Sequence, residues 1–309
     1  MFKFKSQKLN KINFNKKMFK LFRIILVVLL FPVHCFIGQD EWDFDSPKKN
    51  KPMFLDTRAI NGHSVNVLEK KVMELRITHR FGEIGTNESY RTLFGMDNSS
   101  DIRIGFEYGL NDKIMFGGGR SKGASPYSEF WDGLIKWNLY SNEKKPLKIT
   151  YTSQVFFTSM RSSDQTTELN NFSKFSNRFS YNHQLLIAFK PIEKLTLQLS
   201  PGFSYRNLVN YQDDNLIGNI GAVLRLHLYK KVSLIAEYYA NRNITSYRKN
   251  NFVNPLGIGI EINTFGHVFL LNFVNSKGIG EGQFIPYTSS KWSKGEFRFG
   301  FTIARKFNN

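Results

Sequence analysis

The sequence predicts an all-β fold, a single antiparallel transmembrane β-barrel of about twelve strands with short periplasmic turns and longer extracellular loops. Three observations carry that expectation. Apolar and polar side chains alternate in run after run, as in Arg103-Ile104-Gly105-Phe106-Glu107-Tyr108 and Phe179-Ser180-Tyr181-Asn182-His183-Gln184-Leu185, and residues two apart in a strand share a face. The connections between runs alternate short and long without exception. An apolar segment preceded by basic residues stands ahead of the whole series.

That leading segment comes first. Ile24 to Ile37 is apolar apart from Pro32 and His34, shorter than the ~20 residues of a membrane helix. Gly38-Gln39-Asp40 offers a cleavage region, so residues 1–39 read as an export signal whose true start is Met18, with an uncleaved anchor as the alternative. The one cysteine, Cys35, lies inside it. The mature chain then has no thiol for a disulfide, a zinc-thiolate site or a cysteine nucleophile. Lipid attachment at Cys35 is opposed by Pro32-Val33-His34, where small residues are normally needed.

Residues 40–72 read as a periplasmic N-terminal segment. Its Asn61-Gly62-His63-Ser64 stretch carries a tight-turn signal that bends it under the barrel or back into its mouth as a plug. The strands of the barrel, residues 73–309, are expected at 73–82, 100–110, 113–120, 128–141, 147–159, 176–190, 195–206, 215–229, 231–242, 253–263, 266–275 and 295–307. An even number of strands returns both ends of the chain to the periplasmic side. No helix is predicted in this region. Thirty Phe and 13 Tyr raise the aromatic content to 15%, an excess that girdles at two membrane interfaces explain.

Alternation also sets the inner face. Arg or Lys facing hydrocarbon near the midplane costs about 2–4 kcal/mol, so charges in the strands are assigned inward. Glu74, Arg76, Arg80, Arg103, Glu107, Asp132 and Lys136 then line the lumen. Arg178, Arg206, Arg225, Glu237, Glu261, Glu296 and Arg298 join them from the later strands. Such a lumen is either an open polar channel or a packed ion-pair network.

The formal net charge of +18 raises the question of nucleic acid. Eight of the 43 basic residues fall in residues 1–39, which hold no acid, leaving 35 against 25, or +10. That remainder is scattered among acids without a basic stripe, so no nucleic-acid partner is expected.

Catalytic and metal motifs are weak. His63 and Ser64 are adjacent and point apart on extended chain. His183 sits on an outward face with no evident Ser or Asn beside it, which leaves a lipid hydrolase as a minor reading. The six His show no close ligand spacing, and no cofactor is expected. Gly117-Gly118-Gly119 has no following helix to cradle phosphate and reads as room for curvature or a close neighbour. The last strand, with Phe299, Phe301, Ile303 and Phe307, resembles the signal read by the barrel assembly machinery, although Asn308-Asn309 follow it.

Several stretches together resemble an uncharacterised family of Gram-negative outer-membrane β-barrels, classed as a domain of unknown function. They are Thr57 to Val65, Glu74 to Gly82, Ile102 to Leu110, and Tyr127 to Trp137 with its Trp131-Asp132-Gly133 centre. The resemblance runs from about residue 54 to the C-terminus and implies an outer-membrane barrel surrounded by lipid; no activity comes with it. The expected role is non-enzymatic, a narrow pore or a scaffold for a small solute. A barrel that docks an envelope protein is the alternative.

Overall fold

The computed structural model describes residues 52–85, 89–142, 146–165 and 168–307. The expected signal segment, its cleavage region and Cys35 lie outside the described residues.

Twelve strands close into one barrel. They are β1 (Met73–Glu83), β2 (Ser99–Gly109), β3 (Ile114–Lys122), β4 (Glu129–Asn142), β5 (Leu147–Thr158) and β6 (Phe179–Ile192). The series continues with β7 (Leu195–Arg206), β8 (Leu216–Tyr229), β9 (Val232–Asn241), β10 (Leu256–Thr264), β11 (His267–Val274) and β12 (Arg298–Phe307). Each predicted strand is present, with its ends displaced by three residues or fewer. Every strand pairs antiparallel with its sequence neighbours, and β1 closes the ring on β12 through Ile77↔Ile303. Closure gives both edge strands a partner, the condition for a sheet to sit in hydrocarbon. The short connections 110–113, 193–194, 230–231 and 265–266 and the paired strand ends Asn142 and Leu147 gather at one end, and the strand ends that flank the longer connections at the other.

In β1 the polar Glu74, Arg76, Thr78 and Arg80 are buried while Leu75, Ile77, His79 and Phe81 are half-buried on the other face. Outside, Phe106, Ile135, Leu199 and Ile220 are each more than half exposed, an apolar band that suits lipid tails. Rings meet on the outer wall near both ends. Phe81 stacks on Phe299 at 5.7 Å toward the long loops, and Tyr108 tilts on Phe116 at 5.6 Å toward the short turns. No described helix is long and apolar enough to cross a membrane.

Among the described residues two α-helices correct the expectation of none: α1 (Ser246–Asn251) and α2 (Glu281–Tyr287), both in long loops. At six and seven residues they are too short for a 3.6-residue period to register. The α1 start is capped by Thr245, whose hydroxyl accepts from the Arg248 N–H at 3.3 Å. No side chain caps α2, which contains Pro286; its burial inside the barrel holds it instead.

Candidate functional site

The lumen is filled from both ends. From the short-turn end, residues 57–64 enter as a small hairpin, closed by Ala59 N–H to Gly62 O at 2.8 Å and Ser64 N–H to Thr57 O at 3.0 Å. Asn61-Gly62 sits at its tip, where the turn chemistry places it. From the long-loop end, the β11–β12 connection folds inward and carries α2.

A hairpin inside a barrel brings backbone groups that must be paired, and the inward side chains of the wall pair them. The Glu237 carboxylate on β9 accepts from the N–H groups of Ile60, Asn61 and Gly62 at 3.0–3.2 Å. The Lys136 ammonium on β4 donates to the carbonyls of Thr57, Ser64 and Asn66 at 3.0, 2.8 and 2.5 Å. Gln198 on β7 accepts from Val65 N–H at 2.9 Å and donates to His63 O at 2.8 Å. Thr150 on β5 donates to Val65 O at 2.7 Å. An anion therefore meets the amide side of the tip and a cation the carbonyl side.

Ion pairs fill the space around this clamp. Arg76 reaches both Asp56 and Glu74, the latter at 2.5 Å. Arg103 grips Asp132 with two bonds at 2.9 and 2.7 Å. Gly105 and Gly119 make this possible, since a Cβ at either would stand 2.5–2.6 Å from the Arg103 guanidinium. Burial would raise the Asp56 carboxyl, yet the Arg76 guanidinium prevails and holds it below the usual carboxylate range.

The two insertions meet at Glu281, the first residue of α2. Its carboxylate takes Arg58 at 3.3 Å, Gln154 at 2.8 Å and His63 at 3.5 Å. Arg80 on β1 joins both bodies, donating to Asn61 Oδ1 and to Gly278 O at 2.6 Å each. Above the junction, Asp213 holds Arg206 at 3.1 Å and Arg248 at 2.8 Å, and Arg248 donates to Pro286 O at 2.9 Å. Burial would raise the Asp213 carboxyl, and these two guanidiniums hold it down.

His63 is fully buried, and its pKa lies well below the ordinary histidine value because burial penalises the charged ring. The nearby cations Arg58, Lys136, Arg103 and Arg76 add to that, while Glu281 is already engaged by Arg58 and Gln154. The docked ring is therefore neutral, whereas the undocked ring takes a proton as pH falls through about 6.5. Docking from this group is complete above that pH and weakens below it, by up to about tenfold per pH unit. Asp56 works in a different window, its contribution fading only as pH falls below about 4. Protease cleavage within residues 52–72 should accelerate between about pH 7.5 and pH 5, and His63→Gln should flatten that profile. Equal profiles for the two proteins would remove His63 from the account.

Apolar contacts seat both insertions. Phe54, Ala59, Ile60 and Val65 pack on Leu186, Ala188, Val223, Ile235, Leu270 and Val274 of the wall. Phe284 and Ile285 of α2 pack on Tyr239. Sequence reasoning missed this apolar sector of the inner face. The signal was present in β6, where Leu185-Leu186-Ile187-Ala188-Phe189 is apolar on both faces, as a strand buried on both sides would be.

Of the fourteen charged residues assigned inward, two are placed elsewhere. Arg178 ends a short 3₁₀ turn before β6, donates to Thr158 O and Met160 O and lies over Phe172. Glu296 precedes β12 and accepts from Lys291 N–H at 2.7 Å. Both strands begin later than predicted, so alternation does not govern these positions. Arg206 sits on the inner face at the loop end of β7, Arg225 pairs with Glu261 at 2.6 Å, and Arg298 pairs with Glu83 at 2.5 Å. The C-terminal Phe299, Phe301, Ile303 and Phe307 are half-buried on the outer face.

Two Ser–His arrangements stand on the outer wall, and the sequence showed neither because register creates them. Ser153 lies opposite His183 in the β5–β6 ladder, but the His183 Nδ1 is engaged by Tyr151 Oη at 2.8 Å. Ser99 Oγ lies 3.3 Å from His79 Nε2, and His79 Nδ1 is buried without a hydrogen-bond partner. A serine nucleophile needs a base oriented by a hydrogen bond to its second nitrogen, whereas this ring is held by contacts with Phe81 and Phe301 alone. Among the described residues no three His, Cys, Asp or Glu side chains gather to hold a metal ion.

Solved structures that resemble the chain include the NanC porin, with 7% identity and a TM-score of 0.46 over 77% of this chain and 100% of that one. The KdgM porin, solved in complex with disordered oligogalacturonate, gives 7% and 0.47 over 77% and 99%. An outer membrane channel from Pseudomonas putida F1 gives 10% and 0.42 over 79% and 98%. No curated protein matches the chain. The family model described as a membrane bound beta barrel domain (DUF5777) matches residues 54–307, and the chain belongs to that family.

Proposed function

We propose that this chain is a non-enzymatic outer-membrane barrel, exported from the cytoplasm, whose short turns face the periplasm and whose lumen is closed at rest. It opens to small polar solutes when the N-terminal hairpin withdraws toward the periplasm and the α2 insertion, which shares the Glu281 junction with it, loosens at the other end. One observation carries this reading: the hairpin pairs with itself, through Arg58↔His63, and is bound to the wall by side chains. It can therefore leave by the mouth it entered with the strand ladders of the barrel intact. The vacated inner face carries both signs of charge, Glu237, Glu74 and Glu107 against Lys136, Arg76 and Arg80, which suits a polar solute over an apolar one.

Recordings in planar bilayers test it. The whole protein should be silent or only briefly conducting, and a variant lacking residues 52–66 should conduct steadily. Silence of both, with the variant folded by heat-modifiable gel migration, would sink the pore reading in favour of a barrel that docks an envelope partner. The hydrolase reading rests on Ser99 and His79. A serine-reactive phosphonate is expected to leave Ser99 unlabelled; labelling lost in Ser99→Ala would reverse the non-enzymatic assignment.

A further inference from the structure

The charge left after the leader is removed is not spread evenly. Lys113 closes the β2–β3 turn, Lys194 the β6–β7 turn, and Lys230 and Lys231 the β8–β9 turn. Lys70 and Lys71 lead into β1, while Arg305 and Lys306 end β12. All eight are exposed. The acids among the described residues of these same segments are Glu69, Asp112 and Glu193.

Apolar groups alternate with those cations on the outer surface. Leu110, Ile192 and Tyr229 are exposed by 55%, 61% and 66%. The Lys230 ammonium lies 5.3 Å from the Tyr229 ring centre, and the Arg305 guanidinium 5.1 Å from that of Phe307. Long basic side chains beside amphipathic rings are suited to the boundary between acyl chains and head groups.

We infer that the short-turn rim is a binding ring for anionic phospholipid head groups. Two features select lipid over an acidic protein. The cations recur around the circumference, at turns separated by whole hairpins, so they match an annulus that surrounds the barrel; a docked protein covers a patch. The exposed Leu110 and Ile192 need an apolar neighbour, which acyl chains supply and a polar acidic surface does not. The ring depends on the proposed membrane placement only for which leaflet it meets.

Native mass spectrometry of the full barrel, released from nanodiscs of equal phosphatidylglycerol and phosphatidylcholine, reads the preference directly. The protein should retain phosphatidylglycerol over phosphatidylcholine by about fivefold or more, the scale expected of a few cations near an anionic surface. The preference should fall toward unity at about 0.5 M salt, where charges are screened within a few ångströms. Lys113→Gln, Lys194→Gln, Lys230→Gln and Lys231→Gln combined should abolish it. A matched variant neutralising Arg161, Lys174, Lys249 and Lys277 in the long loops should keep it. A preference that survives the turn variant, is absent from the parent protein, or is lost equally in the loop variant overturns the inference. Tighter binding of a polyglutamate peptide than of phosphatidylglycerol would assign the ring to an acidic protein instead. Heat-modifiable migration of each variant reports the barrel separately, so loss of the lipid preference in a folded barrel leaves the fold and the pore reading untouched.

Discussion

Gly62→Leu should unseat the N-terminal hairpin and turn a silent barrel into a conducting one. A Cβ at position 62 would stand 1.9 Å from the Tyr239 hydroxyl oxygen and 2.9 Å from the ring carbon that bears it. Tyr239 is fully buried and packs edge-on against Phe284 of α2, with ring centres 5.0 Å apart, so it has no room to retreat. Displacing the tip also removes the three N–H groups that Glu237 accepts. Hydrogen bonds to a charged group are worth about 1.5–3 kcal/mol each, and their loss leaves a buried carboxylate unpaired. Docking should weaken by several kcal/mol, on the order of a thousandfold in the docked-to-undocked ratio. The variant should show frequent open events in planar bilayers and rapid cleavage within residues 52–72, with heat-modifiable migration retained. A variant as closed and protease-resistant as the parent would show that the tip does not hold the plug.

Glu281→Ala should be the most destabilising single substitution at the junction. The carboxylate is completely buried and serves Arg58, His63 and Gln154 at once. Without it, the nearest carboxylate to the buried Arg58 guanidinium is Glu107 at 3.7 Å. Removing one partner of a buried ion pair costs about 3–5 kcal/mol, because the remaining charge is left in a medium of low polarity. Both insertions should loosen together, seen as faster cleavage in residues 52–72 and in the β11–β12 loop. Glu281→Gln keeps the shape and the bond to Gln154 and should loosen the hairpin less. Loosening of one insertion alone would show that they do not share this anchor.

The wall was legible because its rules are local. A period of two, the cost of a charge against lipid and the chemistry of short turns are each written within a dozen residues. They place Arg76, Arg103, Lys136 and Glu237 on one face with no knowledge of their partners. They misplace Arg178 and Glu296, which lie just beyond strands whose starts a local pattern fixes least well. The helix α2 escaped for the same kind of reason, its seven residues being too few to show a period.

The lumen is another matter. Its contacts join segments far apart in the chain: Arg58 to Glu281, Lys136 to Thr57 and Glu237 to Ile60. Nothing near Glu281 in the sequence marks it as the meeting point, and an inward arginine reads the same whether it faces water or a plug. Alternation and loop parity therefore determine the barrel, its phase and the sorting of short and long loops to opposite ends, because these follow from forces acting between near neighbours and the surrounding solvent. Whether the polar interior is a passage or a filling is decided by long-range packing. The hairpin and α2 bring buried backbone groups and apolar faces that only the assembled wall can satisfy.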